Sequence, residues 1–164
     1  MDAQTLRPLL HYDPETGVLT WLQKLASRQY VGDAAGRRNH DGYVIVGIWH
    51  KRYCAHRLAW LYMTGGWPEH EIDHVDRDRS NNRWGNLRPA THKQNAENRS
   101  PRHDSSSRFV GVLWSSRDQA WRTVININGR KRHIGTHKSL LDAVAHRISA
   151  SRKYHTHSQF VGGA

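Results

Sequence analysis

Apolar residues recur along this chain in two rhythms, helical and alternating, and the switches between them mark out its elements. Leu6, Leu9 and Leu10 fall at helical spacing, which predicts a short amphipathic helix over residues 2–11, before the turn Asp13-Pro14-Glu15-Thr16-Gly17. Val18 to Leu22 then predicts a strand, and the polar stretch 23–41, rich in Gly, Arg and Asn, a loop. Residues 42–55 predict a hairpin, with a strand at 42–49, a turn at His50-Lys51-Arg52 and a return through Tyr53-Cys54-Ala55. A helix over 56–64 puts Leu58, Leu61 and Tyr62 on one face and stops at Gly65-Gly66, where a left-handed residue is needed. Trp60 and Trp67 are expected in the core. His56, which opens that helix, is expected to make a structural hydrogen bond.

The next stretch reads strand, polar loop, strand, helix. Glu71-Ile72-Asp73-His74 is followed by the turn Arg77 to Arg83, in which Asn81 and Asn82 look like turn formers, and by the extended piece Asn86-Leu87-Arg88-Pro89. Thr91-His92-Lys93-Gln94 reads as a capping box, so a helix starts at Thr91 and carries Asn95 near its first turn. Residues 99–108 lack apolar periodicity and mark a basic linker. Beyond it, Phe109 to Trp114, Trp121 to Ile127 and Arg130 to Gly135 predict three strands, the last two joined by the hairpin signal Asn128-Gly129. A helix over 139–153 follows, with Leu140, Ala143, Val144, Arg147 and Ile148 along one face.

Three antiparallel strands backed by one helix leave one sheet face open. Alternation assigns Trp121, Thr123, Ile125 and Ile127 to the helix side, and Arg122, Asn126, Lys131 and His133 to the open side, which suits a DNA major groove.

Composition sharpens this picture. The chain has 164 residues, 25 Lys and Arg against 14 Asp and Glu, a net charge of +11 and a pI near 10.4. That excess is the electrostatic footprint of a nucleic-acid binder, and it is denser after residue 104. The single cysteine, Cys54, excludes an internal disulfide and any zinc site built on several thiolates; it is expected to be a small buried hydrophobe. No apolar run approaches membrane-spanning length and no signal-peptide pattern opens the chain, so a cytoplasmic protein is expected.

The chemistry centres on Asp73-His74. Successive strand residues point to opposite faces, so if Asp73 faces the following helix it can meet Asn95 there. A carboxylate and an amide oxygen are hard ligands suited to Mg²⁺, or to a similar divalent cation such as Mn²⁺. His74 then points away, towards an incoming water, for which its imidazole can act as general base. Asp73-His74, Asn86-Leu87-Arg88 and Gln94-Asn95-Ala96-Glu97-Asn98 resemble the HNH nuclease signature in its phage and homing-endonuclease form. His56 to Trp60 and Gly65-Gly66-Trp67-Pro68 resemble the segment preceding it, and Tyr12 to Gly17 is similar, more loosely, to the opening of phage HNH proteins. The resemblance implies a ββα-metal unit, with Asp73 and Asn95 as metal ligands and His74 as base. Asn86 would orient His74 or pin the loop that carries it.

Residues 106–155 resemble the AP2 DNA-binding domain through Val110-Gly111-Val112, Trp121, Ile125, Gly129, Ile134-Gly135 and Ala143 to Ala145. Plant members carry arginines on the first strand where this chain has Val110 and Leu113; Arg108, Trp114 and Arg117 are the substitutes here. The expectation is thus an α+β protein. Its nuclease domain spans 1–98, as an N-terminal region 1–55 and a core 56–98; a linker spans 99–108 and an AP2-like domain 109–164. The expected activity is metal-dependent hydrolysis of a phosphodiester bond in duplex DNA. One active site per chain makes nicking the default for a monomer or weak dimer. No small-molecule cofactor is expected. The alternatives are a sequence-specific DNA-binding regulator with an inactive HNH unit, and a protein that binds or cleaves RNA.

Overall fold

The computed structural model describes residues 1–98, 101 and 105–158. The chain divides into two units, Met1–Ala90 and Thr91–Ala164, each mixing helix and strand. Of the linker expected over 99–108, residues 99, 100 and 102–104 lie outside the described residues.

The first unit opens with α1 (Ala3–Leu6), whose N-cap Asp2 accepts a hydrogen bond from Thr5 N at 2.8 Å. The helix expected to run through residue 11 ends here, because Pro8 has no N–H to continue the ladder. Leu10–Tyr12 instead forms β1, antiparallel to β2 (Leu19–Trp21). Leu10 and Tyr12 point inwards and His11 outwards, the alternation a half-buried strand requires.

A three-stranded sheet follows, with β4 (Val44–Ile48) between β3 (Arg37–Arg38) and β5 (Lys51–Cys54). The expected loop therefore contains a short edge strand made of two exposed arginines. The β4–β5 turn is Trp49-His50, both with positive φ as a two-residue hairpin of this twist needs, so Lys51 and Arg52 belong to the strand.

Helix α2 (Ala55–Thr64) buries Leu58, Ala59 and Leu61 and ends on Gly65 at φ 83°, as expected. Trp60 packs against the core from its edge. Cys54 is only half-buried, and Trp67 is a surface residue stacked on Tyr53 rather than part of the core. The hairpin of β6 (Glu71–His74) and β7 (Leu87–Ala90) completes the unit. Its core gathers Leu6, Leu10, Tyr12, Leu19, Val46, Ile48, Leu58, Leu61, Ile72 and Leu87.

The second unit begins with α3 (His92–Glu97), capped by Thr91 with both bonds of the capping box formed. Its sheet has the order β10-β9-β8, all antiparallel, from β8 (Val112–Ser115), β9 (Ala120–Ile127) and β10 (Arg130–His137). Asn128 and Gly129 both take positive φ and turn the chain between β9 and β10. The first strand starts three residues later than its apolar run. Gly111 sits at φ 78°, where an added Cβ would fall 2.3 Å from Val124 O, so only glycine fits this entry to the strand. Helix α4 (Leu140–Tyr154), capped by Ser139, packs on the sheet, and Val112, Thr123, Ile125 and Ala143 are buried. Arg122 and Asn126 are exposed on β9, on the other side. Among the described residues, no helix is long and apolar enough to cross a membrane.

Candidate active site

The register of the β6–β7 hairpin fixes which way the central pair faces. Asp73 stands opposite Arg88 and His74 opposite Leu87, so the two side chains leave the hairpin on opposite sides, as alternation predicts. Asp73 is 5% exposed, and its Oδ2 accepts from Arg88 Nη2 at 2.7 Å and Nε at 2.9 Å. A buried carboxylate needs a hydrogen-bonded cation, and Arg88 is one.

His74, expected to point away from Asn95 towards an incoming water, enters the interior of the first unit and is 4% exposed. His56 packs edge-on against it, with ring centroids 5.0 Å apart, and Tyr43 lies 6.1 Å away. His74 Nε2 meets Asn82 Oδ1 at 3.3 Å. The amide of Asn82 is oriented by its Nδ2, which donates to Ser80 O at 3.1 Å. Its oxygen therefore faces the imidazole, an arrangement that suits the tautomer with the proton on Nε2. Burial pushes His74 below the usual imidazole range, outweighing the Asn82 hydrogen bond and the charges of Asp76, Asp73 and Asp78, which pull the other way. The ring is thus favoured in the neutral form that can take up a proton.

Burial, with smaller contributions from His74 and Arg57, holds His56 down at about 3. The structural hydrogen bond expected of His56 is absent at Nδ1, which is buried without a partner.

Of the two roles expected of Asn86, its side chain makes the bonds of the second, to the loop. Its Oδ1 accepts from Asp76 N at 3.0 Å, and its Nδ2 donates to Asp76 Oδ1 at 2.9 Å and to Asn81 O at 2.8 Å. These bonds close residues 76–81 over the end of the hairpin. The far side of the loop rests on the first hairpin. Tyr12 Oη donates to Asn82 O at 2.7 Å, Trp84 N donates to Pro14 O at 2.9 Å, and a Cβ on Gly17 would lie 2.4 Å from Arg83 N.

The remaining predicted residues lie in the second unit. Asn95 is in the first turn of α3, its N–H donating to Thr91 O at 2.9 Å. On the sheet, Lys131 pairs with Asn126, His133 with Val124, and Leu113 with Arg122, so Arg122, Asn126, Lys131 and His133 share one exposed face. Trp114 pairs with Trp121 and faces the other way, off that surface. Arg108, at φ 59°, and Arg117 are exposed in the turns before and after β8.

Sequence reasoning missed Asn82, Arg88 and the packing of His56. The signal for Arg88 is its place in the Asn86-Leu87-Arg88 motif; Asn82 carries none beyond its turn-forming character.

Known proteins share parts of this sequence. The sequence model of the HNH endonuclease family matches residues 53–97, which include β6, β7 and α3. The chain is 31% identical to Protein 3.8 of Escherichia phage T7 over 101 residues, 61% of this chain and 83% of that protein. No solved structure matches it. The chain belongs to the same family as Protein 3.8 and carries an HNH endonuclease domain at residues 53–97.

Proposed function

We propose that this protein is an endodeoxyribonuclease of the phage or homing type that hydrolyses a phosphodiester bond in duplex DNA. The observation that carries the reading is the HNH family match over residues 53–97, within which the β6–β7 hairpin sends Asp73 and His74 to opposite sides. In this reading the His74 imidazole takes the proton of a water bound with the substrate. Asn86 acts at one remove, by closing the loop that presents Asn82.

The donors fit a hard divalent cation. Asp73 brings a carboxylate on the opposite side of the hairpin from His74, and Asn95 an amide oxygen; there is no set of thiolates to favour zinc. Asp73 and Asn95 would hold Mg²⁺ or Mn²⁺, which when bound offsets the charge that builds on the phosphate and on the leaving oxygen. Arg88 neutralises Asp73 and fixes its rotamer.

The second unit serves as an AP2-like DNA anchor. The exposed face bearing Arg122, Asn126, Lys131 and His133 supports this, with Arg108 and Arg117 in the flanking turns. One active site per chain makes a nick the product of a single encounter.

One observation favours the rival, a DNA-binding regulator with an inactive HNH unit: Arg88 already gives Asp73 a cation. Incubating supercoiled plasmid with the protein and Mg²⁺, with and without chelator, separates the two. Relaxed circles are expected with Mg²⁺ alone, and Asp73→Ala should abolish them while still retarding DNA on a gel. Intact plasmid under all metals tested would favour the regulator. Equal loss of binding and cleavage in Asp73→Ala would assign Asp73 to the fold.

A further inference from the structure

Strand β10 does not alternate evenly. Its pairing with β9 slips between His133 and Gly135: His133 stands opposite Val124, yet Gly135 stands opposite Thr123 and His137 opposite Trp121. In a regular strand, residues 133, 135 and 137 would share one face. The irregularity turns His137 to the side of Thr123 and Ile125, where α4 packs, while His133 stays on the open side. Irregularities of this kind re-aim side chains at functional places. This one is anchored by Thr123 Oγ1, which donates to Gly135 O at 3.0 Å.

There His137 meets His146 of α4. His137 Nε2 lies 3.1 Å from His146 Nδ1, and the ring centroids are 5.0 Å apart. Gly135 forms the floor beneath the two nitrogens; a Cβ there would lie 2.7 Å from one and 2.8 Å from the other. Two imidazole nitrogens on one tetrahedral zinc ion, each at about 2.0–2.1 Å, stand about 3.3 Å apart. The pair is therefore already near the spacing of a chelate.

We propose that His137 and His146 form a two-imidazole site for a borderline-soft divalent cation such as Zn²⁺, separate from the hard-oxygen chemistry of Asp73. Imidazole nitrogens select late first-row ions over Mg²⁺. Among the described residues no third His, Cys, Asp or Glu joins them, so water completes the coordination shell. On binding, the proton shared between the rings moves to the far nitrogen of its own ring, and both facing lone pairs reach the metal. The ion then ties the end of β10 to α4.

The test uses the full-length chain in excess Mg²⁺. Zn²⁺ should shift the side-chain ¹⁵N resonances of His137 and His146 and raise the melting temperature with metal concentration. His146→Gln, at an exposed helix position, should keep the fold by circular dichroism and weaken Zn²⁺ binding by roughly tenfold or more, since one imidazole alone forms no chelate. Gly135→Ala should weaken it too, by filling the floor. Ring resonances that Zn²⁺ leaves unmoved, or a His146→Gln variant that binds like wild type, would overturn the proposal.

Discussion

At the scale of single residues, the proposed role of His74 as base makes the asparagine behind it testable. Asn82→Ala leaves the imidazole free to change tautomer, so the cleavage rate should fall roughly ten- to hundredfold while DNA affinity is kept. Rates and gel retardation measured on one preparation check this, and a wild-type rate would remove Asn82 from the mechanism. His56 makes a prediction of opposite kind, about stability. An unfolded imidazole takes up its proton near pH 6.5, whereas burial holds the folded one down at about 3. Between these values the unfolded chain binds more protons, so stability is full above pH 6.5 and falls as the pH drops, by on the order of a few kcal/mol at pH 4. Urea denaturation across pH 4–7 should show that loss, and His56→Leu should reduce it. The divergence of Asp73 and His74 could be read from the sequence because adjacent strand residues must point apart. The place of Asn82 could not, because it depends on how a loop closes in three dimensions.

At the scale of elements, local signals carried furthest. The capping box at Thr91, the glycine stop at Gly65 and the Asn128-Gly129 turn are each encoded within a few residues, and each forms as expected. The helix over 2–11 is shorter than its leucine spacing suggests because strand pairing with Leu19–Trp21, a partner from elsewhere in the chain, competes with that spacing beyond Pro8. The Arg37–Arg38 strand and the irregularity in β10 likewise exist only through their partners. The turn between β1 and β2 gives a prediction at this scale. Gly17, at φ 74°, presses on the backbone of Asn82 and Arg83. Gly17→Ala should lower stability by about 1–3 kcal/mol and slow cleavage as the loop is displaced. An unchanged melting temperature and rate would show that the loop stands without this support.

At the scale of the whole molecule, the +11 charge makes the proposed hold on DNA testable through salt. If the open face of the second unit is the anchor, Arg122→Ala with Lys131→Ala should weaken binding and lower the slope of log affinity against log salt by about two, since each phosphate that is no longer neutralised removes close to one. An unchanged slope, measured by fluorescence anisotropy, would put the anchor elsewhere. The bracing of the His74 loop by the first hairpin also bears on how such proteins can recombine. A chimera that exchanged residues 53–97 alone would inherit a loop fitted to someone else's Tyr12 and Gly17. Functional grafts between relatives should therefore carry the opening residues along with the nuclease segment, and the two should drift together in sequence.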